Sequence, residues 1–145
     1  MEFRKYQQAI IEEASNVLTN TGLVYLAMEV RTGKTLTSLG ICDKVGAKSV
    51  LFVTKKMAIK DIEADGLMFK PEYALTIINY ESLHKLDAEL KFDTIICDEA
   101  HTMGAFPKPS KRAKQIKELV RKHGCGIILM SGTPTPESFS QMYHQ

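Results

Sequence analysis

Short apolar runs separated by longer amphipathic stretches form the main pattern of this chain. The runs are continuous rather than alternating, as expected for strands that are buried on both faces of a sheet. They occupy residues 23–27, 50–53, 75–78, 94–97 and 127–130. The pattern therefore predicts five short strands in the interior of the protein.

Amphipathic helices are predicted between most of these strands. In residues 3–19 apolar side chains recur at helical spacing, with Glu12 and Glu13 on other faces. The residues expected to face the core are Phe3, Tyr6, Ile10, Ala14 and Val17. Further helices are predicted at about 34–45, 56–65, 111–123 and 137–144. The alternation of strands and helices predicts an α/β fold with a mostly parallel central sheet and helices on both faces, whose ligands bind beyond the carboxyl ends of the strands.

The composition is that of a single globular domain. The chain has 145 residues, 44% of them hydrophobic and 25% charged, which is enough for one hydrophobic core and too little for two. The longest apolar run, residues 23–28, is far shorter than the roughly 18 residues that cross a bilayer, and the first residues form no secretory signal. We therefore expect a cytoplasmic domain that is monomeric and has no membrane partner.

The three cysteines, Cys42, Cys97 and Cys125, are odd in number and widely spaced. They predict neither a disulfide framework nor a zinc site, so each is expected to fill a core position.

Positive charge is concentrated in one segment of the chain. The net charge is +2, but residues 108–123 alone contain seven Lys or Arg and one Glu, a net charge of +6, which leaves −4 for the remainder. Such a concentration is typical either of a nucleic-acid contact or of the solvated face of a helix. The pattern alone does not choose between the two.

Gly33-Lys34-Thr35 follows the first predicted strand and begins the next predicted helix. At such a position backbone N–H groups and the positive end of the helix bind phosphate oxygens, a lysine neutralises the β- and γ-phosphates, and a threonine hydroxyl can bind Mg²⁺. Met28 stands where the full phosphate-loop pattern has its first glycine. The tripeptide is therefore also compatible with an ordinary helix start.

Asp98-Glu99-Ala100-His101 follows the fourth predicted strand. An aspartate there can hold the water shell of Mg²⁺, and the adjacent glutamate can polarise an attacking water. By chance such a string is expected in roughly one chain in a thousand of this length, which makes a helix-capping acidic pair a poor explanation. The fifth strand runs into Ser-Gly-Thr-Pro at residues 131–134, which on its own predicts only a turn.

In this order and spacing, the three motifs resemble those of the first RecA-like domain of superfamily 2 helicases and translocases, with the DEAH form of the acidic box. The resemblance is strongest to the Swi/Snf-type DNA translocases and their bacterial and phage relatives. Their phosphate loop usually reads Leu-Ala-Asp-Glu-Met-Gly-x-Gly-Lys-Thr, so the missing first glycine is normal for that branch. Arg31 replaces a glycine of the pattern, and arginine resists the positive φ and the close backbone approach that glycine permits.

Two further segments carry the resemblance. Residues 3–7, Phe-Arg-Lys-Tyr-Gln, are similar to the family's Leu-Arg-Pro-Tyr-Gln, and residues 79–83, Asn-Tyr-Glu-Ser-Leu, match a backbone-contact motif of the family. The segment after the second strand, which begins with Lys55 and Lys56, lacks the family's usual Pro and Trp. The resemblance therefore extends over nearly the whole chain.

The resemblance implies ATP and Mg²⁺ as cofactors and a role for each matching residue. The implied nucleotide-binding residues are Gln7, which reads adenine, and Arg31, Thr32, Gly33, Lys34 and Thr35. The implied catalytic residues are Lys34, Asp98 and the general base Glu99, with Mg²⁺ held by Thr35 and Asp98, partly through water. Coupling of hydrolysis to movement is implied for His101, Ser131 and Thr133, and contact with the nucleic-acid backbone for Lys55, Lys56, Tyr80 and Ser82.

The implied function is that of an ATP-dependent DNA helicase or translocase, with residues 1–145 as its N-terminal RecA-like ATP-binding domain. In the family a second RecA-like domain supplies arginine fingers and half of the nucleic-acid track, and we expect that domain to lie outside these residues. A missing arginine finger costs about 10³- to 10⁵-fold in rate, so this domain alone is expected to bind ATP weakly and to hydrolyse little of it. Duplex DNA is the partner that the resemblance favours.

Other functions stay open from the residues alone. A non-catalytic nucleotide-binding or interaction module that has kept the fold is favoured by Arg31 and disfavoured by the intact Lys34, Asp98 and Glu99. An RNA-acting DEAH-type helicase domain is possible because such motors contact backbone and not bases. A small P-loop kinase is disfavoured because neither the Asp-Glu-Ala-His nor the Ser-Gly-Thr-Pro motif has a place in it.

Overall fold

The fold consists of a central sheet with helices on either side. The computed structural model describes residues 2–27, 33–87, 89–99 and 111–131, with the exception of the Arg112 side chain. The strands are β1 (Leu23–Ala27), β2 (Ser49–Thr54), β3 (Ala74–Asn79), β4 (Thr94–Cys97) and β5 (Gly126–Ser131). The α-helices are α1 (Lys5–Thr21), α2 (Lys34–Lys44), α3 (Ile59–Phe69) and α4 (Lys111–His123). Two short 3-10 helices, Lys56–Ala58 and Tyr80–Lys85, follow β2 and β3.

The described strands form one parallel sheet in the order β1-β5-β4-β2-β3. In its central strand, β4, Ile95 pairs with Leu51 of β2 on one side and with Ile127 of β5 on the other. Parallel neighbours require crossover connections, which α2, α3 and α4 supply. Because all strands run in the same direction, the segments that follow them meet at one side of the sheet, which we call the carboxyl edge.

Helices cover both faces of the sheet, as the sequence predicts. On one face α1, α2 and α3 pack against alternate strand residues, which are Val24, Leu26, Val50, Phe52, Ile96, Ile128 and Met130. On the other face α4 and the 3-10 helix Tyr80–Lys85 pack against Tyr25, Leu51, Val53, Ile95 and Cys97. This two-sided burial is the reason that the strands are continuous apolar runs.

The buried face of α1 differs from the predicted one. Its buried residues are Gln7, Ile11, Ala14, Ser15 and Leu18, so of the five residues expected to face the core only Ala14 is fully buried. Phe3, Ile10 and Val17 are partly buried, and Tyr6 remains 39% exposed. The prediction of this face was therefore right only in part: Phe3, Ile10 and Val17 pack against the core, but the two buried polar residues, Gln7 and Ser15, are not revealed by a pattern of apolar residues.

The ends of the elements agree with the predictions to within two residues, except around α3; α1, for example, runs from Lys5 to Thr21 rather than over 3–19. That helix begins at Ile59 rather than at 56, because residues 56–58 form a 3-10 turn, and it ends at Phe69 rather than at 65. The 3-10 helix Tyr80–Lys85 was not predicted. The predicted helix at 137–144 lies outside the described residues. Among the described helices, none has the length and hydropathy that crossing a bilayer requires.

All three cysteines are free and buried, which confirms the prediction that they occupy core positions. Burial raises the pKa of the Cys42, Cys97 and Cys125 thiols, and nearby acidic groups act in the same direction. Since the thiolate is the reactive form, these side chains serve packing rather than chemistry.

Replacement of Phe52 tests the packing at the centre of the sheet. Phe52 is fully buried beneath the α1–α3 layer, and Phe52→Ala removes a large apolar side chain and leaves a cavity. We expect this change to lower the free energy of unfolding, measured by urea denaturation, by about 3–5 kcal/mol. Met57→Ala is the control: Met57 is 89% exposed, and its loss should cost less than about 0.5 kcal/mol. Equal effects of the two changes would contradict the described core.

Candidate functional site

A buried lysine and two carboxylates meet at the carboxyl edge of the sheet. Nζ of Lys34, the first residue of α2, lies 3.1 Å from Oδ1 of Asp98 and 3.5 Å from Oε1 of Glu99. Lys34 is 7% exposed and Asp98 3%. Buried charges are costly unless they are paired, and here each has a partner of opposite sign. The structure thus brings together the three residues predicted to be catalytic, although 65 positions separate Lys34 from Glu99.

The Asp98 carboxylate is held by two hydrogen bonds besides its ion pair. The Thr54 hydroxyl, at the end of β2, donates to Oδ2 at 2.9 Å, and the Glu99 N–H donates to Oδ1 at 3.0 Å. The Asp98 N–H extends the sheet by donating to the Val53 carbonyl at 2.8 Å. Both carboxylate oxygens therefore have fixed directions. Thr54 is not among the residues predicted from the sequence, although it is a polar residue that directly follows the apolar run 50–53.

The backbone at Glu99 is in an unusual conformation. Its φ is 54°, in the left-handed region that non-glycine residues seldom adopt. Such strain persists where the surroundings fix it, and here the Glu99 side chain accepts from Lys34 while its N–H donates to Asp98. This turn aims two consecutive carboxylates at the same ammonium group.

Gly33 precedes α2 and requires the absence of a side chain. Its φ is 73°, and a Cβ at this position would lie 2.5 Å from Nε2 of Gln7. Its carbonyl accepts from the Thr37 hydroxyl at 2.9 Å and from the Thr37 N–H at 3.0 Å. The result is an open helix N-terminus with Lys34 and Thr35 in its first turn, an arrangement that favours anions.

Gln7 lies against this turn rather than on a solvated helix face. It is 6% exposed, and its Oε1 accepts from the Arg4 N–H at 2.9 Å. Its Nε2 lies 3.5 Å from the Gly33 carbonyl and 3.4 Å from the Thr37 hydroxyl, both long hydrogen bonds. The structure therefore places Gln7 beside Gly33 and Thr37, and its role at the nucleotide stays a prediction.

A cleft of about 370 Å³ opens beside the lysine and the carboxylates. Besides Lys34, Asp98 and Glu99, it is lined by Gly33, Thr35, Leu36, Lys55, Ala58, Asp61, Ile62 and Asp65. Burial raises the pKa of Asp65, and the negative charge of Asp61, one turn away on α3, raises it further. The sequence analysis did not single out these two aspartates.

The cleft has oxygen ligands of the kind that Mg²⁺ prefers. They are the Thr35 hydroxyl and the Asp98 carboxylate. Within the described ranges, no three or more His, Cys, Asp or Glu side chains are grouped so that they could hold a metal ion by themselves. Mg²⁺ is commonly held by one or two carboxylates together with phosphate oxygens and water. This donor set therefore fits a Mg²⁺ ion that arrives with a phosphorylated ligand.

Ser131 ends β5 and is 1% exposed. Its side chain interacts with that of Tyr25 on β1, next to the backbone pairing of Ser131 with Ala27. Burial raises the pKa of Tyr25 to about 12, and the interaction with Ser131 acts in the opposite direction. Tyr25 is a further residue that the sequence analysis did not identify.

The residues predicted to contact nucleic acid occupy different environments. Lys55 and Lys56 are exposed just after β2, and Ser82 is half-buried. Tyr80 is 2% exposed, and its hydroxyl donates to the Asp98 carbonyl at 2.5 Å. Its side chain thus supports the acidic turn, and its predicted contact with nucleic acid stays a prediction.

Four of the predicted site residues lie outside the described residues. They are Arg31, Thr32, His101 and Thr133. Their assignments stay predictions.

Comparison with known proteins identifies the fold. No family model matches the chain, and neither does any curated protein. Among solved structures, the Sulfolobus solfataricus SWI2/SNF2 ATPase core in complex with double-stranded DNA matches 99% of the chain with a TM-score of 0.75 and 19% identity. The ATP-dependent Type ISP restriction-modification enzyme LlaBIII bound to DNA matches 92% with a TM-score of 0.65 and 18% identity. A nuclease-deletion mutant of the Type ISP enzyme LlaGI, in complex with a DNA substrate mimic, matches 99% with a TM-score of 0.65 and 17% identity.

These similarities confirm the predicted RecA-like α/β fold. The chain spans 34% of the SWI2/SNF2 core, 13% of LlaBIII and 19% of LlaGI. It thus corresponds to a minor part of each of these larger proteins.

Removal of the Thr54 hydroxyl tests how Asp98 is held. Thr54→Val keeps the shape of the side chain but leaves one buried carboxylate oxygen without its donor. Since a hydrogen bond to a charged group contributes about 1.5–3 kcal/mol, we expect a loss of that size in the free energy of unfolding, measured by urea denaturation. Thr54→Ser retains the donor and should recover most of the loss. Equal stability of the valine variant and the wild type would show that this hydrogen bond does not hold Asp98.

The raised pKa of Tyr25 predicts that the free energy of unfolding falls at alkaline pH. Above a pH of about 10 the unfolded chain ionises this phenol, whereas the folded protein keeps it protonated until about pH 12. The stabilisation is therefore fully present below pH 10 and is lost as the pH rises towards 12. Urea denaturation at several pH values should show a steeper decline for the wild type than for Tyr25→Phe above pH 10, and parallel curves between pH 7 and 9. Parallel curves over the whole range would contradict the raised pKa.

Proposed function

We propose that this chain is the first RecA-like domain of a superfamily 2 ATPase that moves on DNA, a translocase or helicase. The observation that carries the proposal is the position of Lys34, at the N-terminus of α2 with Nζ 3.1 Å from Asp98 and 3.5 Å from Glu99. A lysine on an anion-binding helix terminus, facing an acidic pair across a cleft, has the charges that Mg²⁺-ATP hydrolysis requires. The proposed cofactors are therefore ATP and Mg²⁺.

Each residue of the cleft has a proposed task. The N–H groups of the first turn of α2 and the ammonium group of Lys34 bind the phosphates, and Gln7 recognises adenine beside Gly33. Bound Mg²⁺, held by Thr35 and Asp98, would neutralise charge on the phosphates. Glu99 is the proposed general base and takes a proton from the attacking water. Thr54 and Tyr80 keep Asp98 in place from below.

The choice of DNA as the partner is supported by the structural neighbours. All three are described in complex with DNA or with a DNA mimic, and two of the names include ATP or ATPase activity. Lys55 and Lys56 are exposed at the carboxyl edge, where they would contact the nucleic-acid backbone. Ser131 pairs with Ala27 of β1, so the strand that precedes the Ser-Gly-Thr-Pro segment lies directly beside the strand that precedes the proposed phosphate loop.

Hydrolysis by the full-length protein would need a second RecA-like domain. The chain spans 34% of the SWI2/SNF2 core. The second RecA-like domain would therefore be a partner supplied by the same full-length protein. The domain alone is proposed to bind Mg²⁺-ATP weakly and to turn it over slowly.

Nucleotide binding tests the proposal directly. A fluorescent ATP analogue should bind in a Mg²⁺-dependent manner, and Lys34→Ala should weaken binding by about 10- to 100-fold, the effect of losing charge-assisted contacts of about 1.5–3 kcal/mol. Lys56→Ala is the matched control, because Lys56 is exposed and does not line the cleft. Fluorescence titration gives the dissociation constant of the analogue for the wild type, Lys34→Ala and Lys56→Ala.

A non-catalytic interaction module gives the opposite outcome. In that case the analogue would show no Mg²⁺-dependent binding, and Lys34→Ala would not change the affinity for the analogue. That result would overturn the proposed function.

A further inference from the structure

α4 carries a dense positive charge that the proposed ATPase site does not use. Of its thirteen residues, six are Lys or Arg and one is Glu, a net charge of +5. Five of the cations have described side chains and all of these are exposed, namely Lys111, Lys114, Lys117, Arg121 and Lys122. None of them forms an ion pair with another residue that the structure describes.

The packing of α4 fixes this charge on the outer face. Ile116 is 2% exposed and anchors the helix on the sheet, with Ala113, Leu119 and Val120 partly buried beside it. The cations lie between these anchors on the solvent side. At 1.5 Å per residue, the stripe from Lys111 to Lys122 is about 16 Å long. Because α4 follows β4 and precedes β5, it runs from the carboxyl edge to the opposite edge of the sheet.

The chemistry of the outer face narrows the choice of partner. The exposed large apolar residues of the described chain are Tyr6, Leu23, Met57, Leu67, Met68 and Leu90, and none of them belongs to α4. Membrane-surface helices insert apolar side chains, and protein interfaces depend on buried aromatic or apolar anchors. Proteins that bind single strands stack unpaired bases on aromatic side chains. A face with five exposed cations, one exposed Glu and no large exposed apolar side chain fits the phosphate backbone of a duplex, which presents one charge per about 1.7 Å of its axis.

We propose that the outer face of α4 binds the backbone of duplex DNA, as a contact surface separate from the carboxyl-edge residues Lys55 and Lys56. The contact is electrostatic and independent of base sequence. It does not require ATP, because none of its residues lines the nucleotide cleft. This inference rests on the proposed function for its choice of DNA, and it adds a second element that holds the duplex.

A triple substitution on α4 tests the proposal. Affinity of the 145-residue chain for a fluorescein-labelled DNA duplex is measured by anisotropy over a range of salt concentrations, without nucleotide. In the variant Lys114→Gln/Lys117→Gln/Arg121→Gln we expect binding to be weaker by at least about tenfold at 0.1 M salt. The slope of log K against log salt should also fall by about 2.7, or 0.9 for each lost phosphate contact.

Two control variants separate a contact surface from general effects. Lys44→Gln/Lys48→Gln/Lys70→Gln removes the same charge from three exposed lysines at the opposite edge of the sheet and should leave the slope near that of the wild type. Lys114→Arg/Lys117→Arg/Arg121→Lys keeps the charge and should bind as the wild type does. Circular dichroism of all variants, together with binding of the fluorescent ATP analogue, verifies that the α4 changes leave the fold and the cleft intact.

The outcomes distinguish this proposal from the proposed function. If the wild type binds the duplex and the α4 variant binds equally well, or no worse than the control at the opposite edge, the α4 surface is overturned while the translocase proposal stands. If the α4 variant loses as much affinity for single-stranded as for duplex DNA, the assignment to a duplex is overturned. If the wild type binds no duplex at all, both the α4 surface and the DNA partner are overturned, and nucleotide binding is judged separately by the Lys34 variant.

Discussion

Lys34 carries a positive charge into a nearly closed part of the protein, and its contacts with Asp98 at 3.1 Å and Glu99 at 3.5 Å are what make that burial tolerable. Removing one partner from a buried ion pair costs several kcal/mol, about 3–5 in measured cases, because the other charge is left uncompensated. The carboxylates depend on the lysine in the same way. A ligand that enters the cleft must therefore replace one of these charged partners or bring a compensating charge of its own. A polyphosphate with a divalent cation supplies both negative and positive charge.

The sheet makes this cluster possible because its central strand is followed directly by the acidic pair, Asp98 and Glu99. β4 lies between β5 and β2, so Asp98 is reached by the Thr54 hydroxyl from one neighbour, while Ser131 ends the other neighbour. Tyr80 closes the site from the second face by donating to the Asp98 carbonyl. A site built on strand ends in this manner is held more rigidly than one built on loops alone.

Much of this arrangement could be predicted from the sequence, since continuous apolar runs and amphipathic helices in alternation permit few folds other than a parallel α/β sheet. The meeting of Lys34 with Asp98 and Glu99 followed from the same logic, because both segments come directly after strands. Thr54 had a local signal, a polar residue directly after an apolar run, but the neighbours of Thr54 and Tyr25 could not be foreseen, since strand order decides which side chains meet and no local pattern encodes it. The predicted core face of α1 missed the buried Gln7 for a related reason: its amide enters the core beside Gly33 and Thr37, which are distant in sequence.

The central claim is that the cluster of Lys34, Asp98 and Glu99 is a nucleotide-phosphate site. A crystal structure of the chain with Mg²⁺ and a non-hydrolysable ATP analogue tests it most directly. The account predicts phosphate oxygens within hydrogen-bonding distance of Lys34 Nζ and of the first turn of α2, with the metal ion beside Thr35 and Asp98. A structure obtained at saturating analogue in which Lys34 remains paired with Asp98 and the nucleotide is bound elsewhere, or not at all, would contradict it.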